Sequence, residues 1–308
     1  MKKVIVTGFA GFIGFQLTKS LLARGISVIG IDDCSTGKEA NFNHKHELLS
    51  VIRSNIALGW TFQELVKHLP MAGKIDCMFH LAAHPRVQPS IDNPRLYHSY
   101  NVNSTTNMLE LCRVLDIKRF VFSSSSSIYG DPDIVPTSES EPFEPMSPYA
   151  LHKQVGEHYC KLYSELYGID TMALRYFNVY GEGQPEVGAY VPVVGIWLKQ
   201  HAAGRYLSIT GDGTQTRDFV NVQDVVDANI LAAYHGPSGY SFYNVGSGKN
   251  YELNKIAGLI STKVEYITKR HEPHTTLASI VKIFRELGWA PTVDLEAWLK
   301  DKLNENKN

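Results

Sequence analysis

Directly after the β-branched run Val4-Ile5-Val6 comes Thr7-Gly8-Phe9-Ala10-Gly11-Phe12-Ile13-Gly14, a G-x-x-G-x-x-G spacing that leads into Phe15 to Ala23, a segment of helical apolar periodicity. Glycine suits such a strand-to-helix turn for two reasons. Positive φ costs it little, and no Cβ obstructs a pyrophosphate approaching the free N–H groups at the helix N-terminus. Gly25 stops that helix, and Ser27 to Ile31 reads as a second buried strand closed by Asp32-Asp33. Asp32 follows Gly14 by 18 residues, where a carboxylate can accept hydrogen bonds from an adenosine ribose. A carboxylate there repels a 2′-phosphate, so the order of strand, glycines, helix, strand and acid predicts NAD rather than NADP, with Asp32 preferred to Asp33. The competing reading has these acids only capping the loop Ser35-Thr36-Gly37. The candidate cofactor contacts in this stretch are Gly8, Gly11, Phe12, Ile13, Gly14 and Asp32.

The rhythm recurs at Cys77 to Leu81, Asn101 to Leu115 and Arg119 to Ser123. Continuous apolar strands separated by amphipathic helices predict an α/β fold, a doubly wound parallel (Rossmann) sheet covered on both faces. Beyond about residue 175 the pattern loosens. Leu174 to Tyr176 and Asp218 to Val220 read as strands and Asp224 to Tyr234 as a helix, with glycine turns at 181–183 and 211–213. We therefore expect a cofactor-binding domain over 1–175, with 212–236 returning to it, and a smaller mixed α/β C-terminal substrate lobe over 176–308, ending in a charged helix from Leu295.

Thirty basic against 31 acidic side chains, a net charge of -1, lack the footprint of a nucleic-acid binder. Cys34, Cys77, Cys112 and Cys160 form no C-x-x-C pair and no tight cluster with histidine, which argues against a disulfide framework or a metal site. The glycines interrupt the apolar run after Lys2-Lys3, so a signal peptide is not expected. No stretch of about 18 apolar residues is present. A cytoplasmic protein with no membrane partner is the expectation.

Tyr149 and Lys153 form Y-x-x-x-K in Ser147-Pro148-Tyr149-Ala150-Leu151-His152-Lys153. Ser147 is a good N-cap and Pro148 fits the first helical position, so a helix begins here and places residues four apart on one face. An ammonium beside a phenol stabilises the phenolate and makes tyrosine a usable base near neutrality. Alone, the pattern is common on surface helices. The serine run Ser123 to Ser127 sharpens it, because it falls at the C-terminal end of a sheet strand, where open α/β sheets bind ligands. A solvated serine loop is the plainer alternative.

Together these motifs resemble the extended short-chain dehydrogenases/reductases, specifically the NAD-dependent nucleotide-sugar epimerase/dehydratase group typified by UDP-glucose 4-epimerase. The matching stretches are TGFAGFIG at 7, FHLAAHPRVQPS at 79, NVNSTTNMLE at 101, FSSSSSIYGD at 122, SPYALHK at 147, LRYFNVYGEGQ at 174, GDGTQTRDFVNVQDVVDA at 211 and YNVGSG at 243, weakening after about residue 250. The resemblance implies that Ser125, Tyr149 and Lys153 are the catalytic triad, with Lys153 also on the nicotinamide ribose. It places Ala82, Ala83, Asn101 and Tyr176 at the cofactor, with Phe177 close by. Asn178 and Arg217 would face the diphosphate of a UDP-sugar, and Lys269, Arg270 and Glu272 its nucleotide. An ion pair of Arg217 with Asp212 or Asp218 is the plain alternative.

The acidic pair that dehydratases carry after the strand-end serine is replaced by Ser126 and Ser127, which favours 4-epimerisation through a transient 4-keto sugar. Thr276 falls where hexose-restricted relatives have a bulky tyrosine, leaving room for an N-acetyl group. UDP-N-acetylglucosamine and UDP-N-acetylgalactosamine thus join UDP-glucose and UDP-galactose as candidate substrates. The resemblance also implies a homodimer through the helices around 101–115 and 148–167, although Met108, Leu111 and Leu115 are equally explained by packing on the sheet. Competing functions are a nucleotide-sugar reductase or dehydratase and, from another class, a non-catalytic dinucleotide-binding scaffold.

Overall fold

Val4, Ile5 and Val6 are continuously apolar because strand β1 (Lys3–Thr7) is buried on both faces. The computed structural model describes residues 1–185, 191–269 and 272–305. In it, β1 pairs in parallel with β2 (Ser27–Asp32) on one side and β4 (Cys77–His80) on the other. β2 pairs in parallel with β3 (Leu49–Arg53), and β4 with β5 (Arg119–Ser125). With β6 (Asp170–Tyr176) and β10 (Tyr240–Val245) they form a seven-stranded sheet ordered β3-β2-β1-β4-β5-β6-β10. This is the doubly wound order expected from the sequence, and it reverses direction between β1 and β4. Ligands of such sheets bind beyond the carboxyl ends of the strands at that reversal.

The chain divides into two compact units. The first comprises Met1–Ile128, Pro145–Arg175 and Val226–Tyr243. Its core joins Ile5, Ile29 and Ile31 of the sheet to Met108, Leu109, Leu111 and Cys112 of the helix Ser104–Val114 and to Phe120 and Phe122 of β5. The expected helix over 101–115 is in fact two pieces, the end of a π-helical turn Ser99–Asn103 and the helix Ser104–Val114. β6 begins four residues before Leu174, where the Asp170 amide donates to the Lys118 carbonyl at 2.8 Å and the Thr171 amide to the Gly239 carbonyl at 2.9 Å; the buried Thr171 hydroxyl is satisfied by the Cys160 carbonyl at 2.9 Å.

The second unit comprises Tyr129–Glu144, Tyr176–Val225 and Asn244–Asn308. It holds a three-stranded sheet in which β9 (Thr216–Asn221) pairs in parallel with β7 (Asn178–Tyr180) and antiparallel with β11 (Asn250–Glu252). A two-stranded parallel sheet joins β8 (Leu207–Thr210) to β12 (Val264–Ile267). Trp197, Phe219, Ile256 and Leu299 lie in its separate core. Among the described residues, no helix is long and apolar enough to cross a membrane, and no group of three or more His, Cys, Asp or Glu could hold a metal ion.

Candidate functional site

The glycine loop connects β1 to the helix Phe12–Ala23, and Gly11 is its N-cap, with no side chain to satisfy the first N–H groups. Those groups have no intrahelical acceptor by construction, which makes the helix start an anion site. Gly8 has φ +72°, and a Cβ on it would sit 2.6 Å from the Ala82 amide nitrogen; a Cβ on Gly14 would overlap the Gly8 carbonyl. A Cβ on Gly11 would come within 3.1 Å of the Gly8 oxygen, so all three glycines allow the close backbone packing that shapes a cradle at the helix start. Asp32, at the end of β2, accepts from the Ala10 amide at 3.0 Å and from Cys34 at 2.7 Å. Burial raises its pKa, and the two backbone hydrogen bonds work in the opposite direction. Asp33 turns away from the loop, accepting from the Ser35 amide at 2.9 Å and bonding the Tyr100 hydroxyl. An open helix N-terminus, a glycine cradle and a carboxylate at the strand end together fit the pyrophosphate and ribose of NAD.

Ala82 and Ala83 follow β4, and the Ala82 amide donates to Thr7 Oγ1 at 3.3 Å. Asn101 lies in the π-helical turn, a local distortion frequent at functional sites. Its Oδ1 accepts from the His84 amide at 2.8 Å and its Nδ2 donates to the His84 carbonyl at 3.0 Å, so its side chain secures the loop after Ala83. His80, unmarked in the sequence, ties Thr7 (2.8 Å) to Thr105 (3.1 Å) within the core. Burial drops its pKa to about 3, so it is neutral at physiological pH. The unfolded chain protonates this histidine near 6.5 but the folded one does not until about 3. Its stabilising contribution is complete above pH 6.5 and is lost as pH falls through that window. Denaturant unfolding should show His80 accounting for about 3 kcal/mol of the loss between pH 7 and pH 4. His80→Gln should flatten the curve by that amount, and parallel curves would contradict a buried neutral imidazole.

Ser147 caps the helix Pro148–Tyr167, accepting from the Ala150 amide at 3.2 Å, as its sequence predicts. Ser90, which the sequence did not single out, accepts from the Tyr149 amide at 3.1 Å and secures the same turn. Tyr149 is hydrogen-bonded to Ser125, the last residue of β5. Ser125 Oγ in turn accepts from the Ser127 amide at 3.2 Å and the Ser127 hydroxyl at 2.9 Å. With its acceptor capacity so used, Ser125 has its own proton left for the Tyr149 oxygen. Lys153 donates to the Ser123 carbonyl at 2.7 Å, with Nζ 5.8 Å from the Tyr149 ring centroid. The expected electrostatics therefore need correction. Burial raises the Tyr149 pKa, and the influence lowering it is the Ser125 hydrogen bond rather than the ammonium. Lys153 is itself pushed down to about 8, by burial first, with Cys160 and Glu157 opposing. At pH 7 the ammonium still predominates.

The remaining candidates lie in the second unit. Tyr176 ends β6, and it and Phe177 are buried. Asn178 donates to the Asp218 carbonyl at 2.9 Å and to Thr276 Oγ1 at 3.4 Å. Thr276 Oγ1 also accepts from the Asp218 amide at 3.2 Å, so this hydroxyl fastens β9. Arg217 donates through Nη1 to the carbonyls of Thr216 and His274. Its Nη2 lies 3.1 Å from Glu272, yet among the described residues no acceptor is aligned with that buried donor. The ion-pair partner is thus neither Asp212 nor Asp218. Asp212 accepts from Thr214, and Asp218, expected only as a strand residue or an Arg217 partner, instead gathers the amides of Ser247, Gly248 and Ala278. Glu272 also accepts from Thr210 at 3.1 Å. Lys269 is exposed beside Gly211, and Arg270 lies outside the described residues.

Residues 4–246 match the model of the NAD dependent epimerase/dehydratase family. The chain is 36% identical to a UDP-glucose 4-epimerase of Mycolicibacterium smegmatis, with 95% of each chain covered. It is 32% identical to a UDP-glucuronate 4-epimerase of Thermodesulfobacterium geofontis, covering 98% of this chain and 95% of that one. Among solved structures it is similar to UDP-N-acetylglucosamine 4-epimerase from Methanobrevibacter ruminantium in complex with UDP-N-acetylmuramic acid, with TM-score 0.89, 34% identity, and 98% and 97% of the two chains covered.

Proposed function

The chain belongs to the NAD dependent epimerase/dehydratase family, and within it we propose a UDP-sugar 4-epimerase with Tyr149 as the base. The observation carrying this reading is the arrangement of Tyr149, Ser125 and Lys153 beyond the carboxyl end of β5, with Ser125 donating to the phenol and Lys153 fixed on the Ser123 carbonyl. The glycine cradle, Asp32 and Lys153 would hold NAD, which supplies the hydride acceptor and donor for the sugar C4. Tyr149 acts as the phenolate, whose charge the Ser125 hydroxyl stabilises, and becomes the neutral phenol as it takes the proton from the 4-hydroxyl. After the 4-keto sugar has presented its other face, Tyr149 returns the proton. Lys153 keeps a positive charge one helical turn away, held by the Ser123 carbonyl.

The reading assigns the UDP moiety to Asn178, Arg217, Lys269, Arg270, Glu272 and Thr276. Arg217 supports this, because its guanidinium is a buried cationic fork whose Nη2, paired with Glu272 at 3.1 Å, has no aligned hydrogen-bond acceptor among the described residues and suits a phosphate oxygen. The relatives named above share UDP and the C4 inversion and differ in the sugar. Ser126 and Ser127 put no carboxylate after Ser125, which favours epimerisation over dehydration. The homodimer belongs to the same reading. Met108 and Leu111 are buried within their own chain, so its contacts would use exposed residues such as Leu151, Leu162 and Leu166.

Purified protein, given UDP-glucose, UDP-galactose and their 2-acetamido counterparts in turn without added cofactor, should interconvert at least one C4 pair. No net NADH should accumulate. Stoichiometric NADH would instead indicate a net oxidoreductase, and inert sugars with bound NAD would indicate the scaffold.

A further inference from the structure

Glu157 follows Lys153 by four residues and Tyr149 by eight on the helix Pro148–Tyr167, so the three share a face. Its carboxylate and the guanidinium of Arg175 in β6 are both fully buried and meet at 2.7 Å. Oε1 accepts from Ser124 Oγ at 2.5 Å and from Arg175 Nε at 3.0 Å. Oε2 accepts from Arg175 Nη2 at 2.7 Å and from the Tyr240 hydroxyl at 3.1 Å. Phe242 covers the guanidinium, its ring centroid 4.5 Å away.

Such a pair is a weak source of stability. Desolvation offsets the attraction, and apolar side chains of similar volume usually serve as well. What this pair does fix is the end of β5. Ser124 stands between the residue whose carbonyl holds the Lys153 ammonium and the residue whose hydroxyl meets Tyr149. A misplacement of about 1 Å at such groups can cost on the order of a hundredfold in rate.

We propose that Glu157 and Arg175 are positioning residues for this reaction: by pinning Ser124 they set where the Ser123 carbonyl holds Lys153 and where the Ser125 hydroxyl meets Tyr149. This rests on the reading of Tyr149 and Lys153 given above. Glu157 has a second effect. Facing the ammonium are Glu157, which favours its charge, the Cys160 thiol, His152 and Tyr149 on the same helix, and the neutral His80 of β4. Removing Glu157 takes away one of the groups that keep the proton on Lys153.

Two variants test the proposal. Ser124→Ala removes the tether and spares the ion pair; Glu157→Leu with Arg175→Met removes the pair and keeps the core filled. For the UDP-sugar that the wild type turns over, kcat should fall roughly 10- to 100-fold in the double variant and at least about threefold in Ser124→Ala, with KM within about threefold. The Lys153 ammonium, followed by NMR without substrate, should titrate at lower pH in the double variant, which lacks the Glu157 carboxylate. Wild-type kcat together with an unmoved titration in folded protein would overturn the proposal. If the double variant does not fold, the kcat of Ser124→Ala decides alone. If the wild type turns over no UDP-sugar, the functional reading fails, while the Lys153 titration still decides whether the pair positions that group.

Discussion

Tyr149→Phe should lower kcat by roughly 10²- to 10⁴-fold, the range that a positioned acid–base group contributes, while the dissociation constants for NAD and for the UDP-sugar stay within about threefold. The ring and its packing are retained and only the oxygen bonded to Ser125 is removed. The groups assigned to the pyrophosphate and to UDP are untouched by the change. Steady-state kinetics and titration calorimetry on the same preparation separate the two quantities. Retained turnover would remove Tyr149 from the chemistry, and lost binding would make it a structural residue.

Gly14→Ala should be nearly as damaging, by a different route. The new Cβ would overlap the Gly8 carbonyl, which is backbone and cannot swing aside, so the cradle and the helix start must part. Overpacking of this kind costs about 1–3 kcal/mol, and the same displacement spoils the anion site. NAD affinity should fall at least about a hundredfold, since several N–H contacts move together, and the cofactor should no longer copurify. Gly25→Ala is the matched control. It also sits at positive φ, +71°, but nothing lies within 4 Å of the added Cβ. It should cost about 1–2 kcal/mol of stability and leave NAD binding intact. Equal losses of NAD in the two variants would show that backbone strain, rather than closure of the cradle, governs the site.

What the sequence discloses and what it hides follow from the range of the interactions. The glycine loop, the strand-end acid and the Ser147-Pro148 helix start depend on neighbours within one or two turns, so spacing alone reveals them. The partners of the site residues do not. Ser90 reaches Tyr149 across 59 positions, and Ser124 reaches Glu157 across 33. The Arg217 partner is Glu272 rather than an adjacent aspartate, because the strand geometry of β9 turns the guanidinium toward the chain near His274. The Y-x-x-x-K spacing correctly sets Tyr149 and Lys153 on one face. It carries no information on where the ammonium finds its acceptor, and the Ser123 carbonyl is what holds it. Nor could Ser127 be read as a support for Ser125, since five consecutive serines look alike until β5 ends among them.

The central claim is that one C4 centre is opened and closed within a single bound state. A UDP-sugar carrying deuterium at C4, turned over to equilibrium in ordinary water without added cofactor, tests it directly. The account predicts deuterium at C4 of both epimers in undiminished abundance, with solvent protons entering only at hydroxyls. Replacement of the label by protium, or inversion with no sensitivity of rate to the isotope and none to the loss of the Tyr149 hydroxyl, would contradict it.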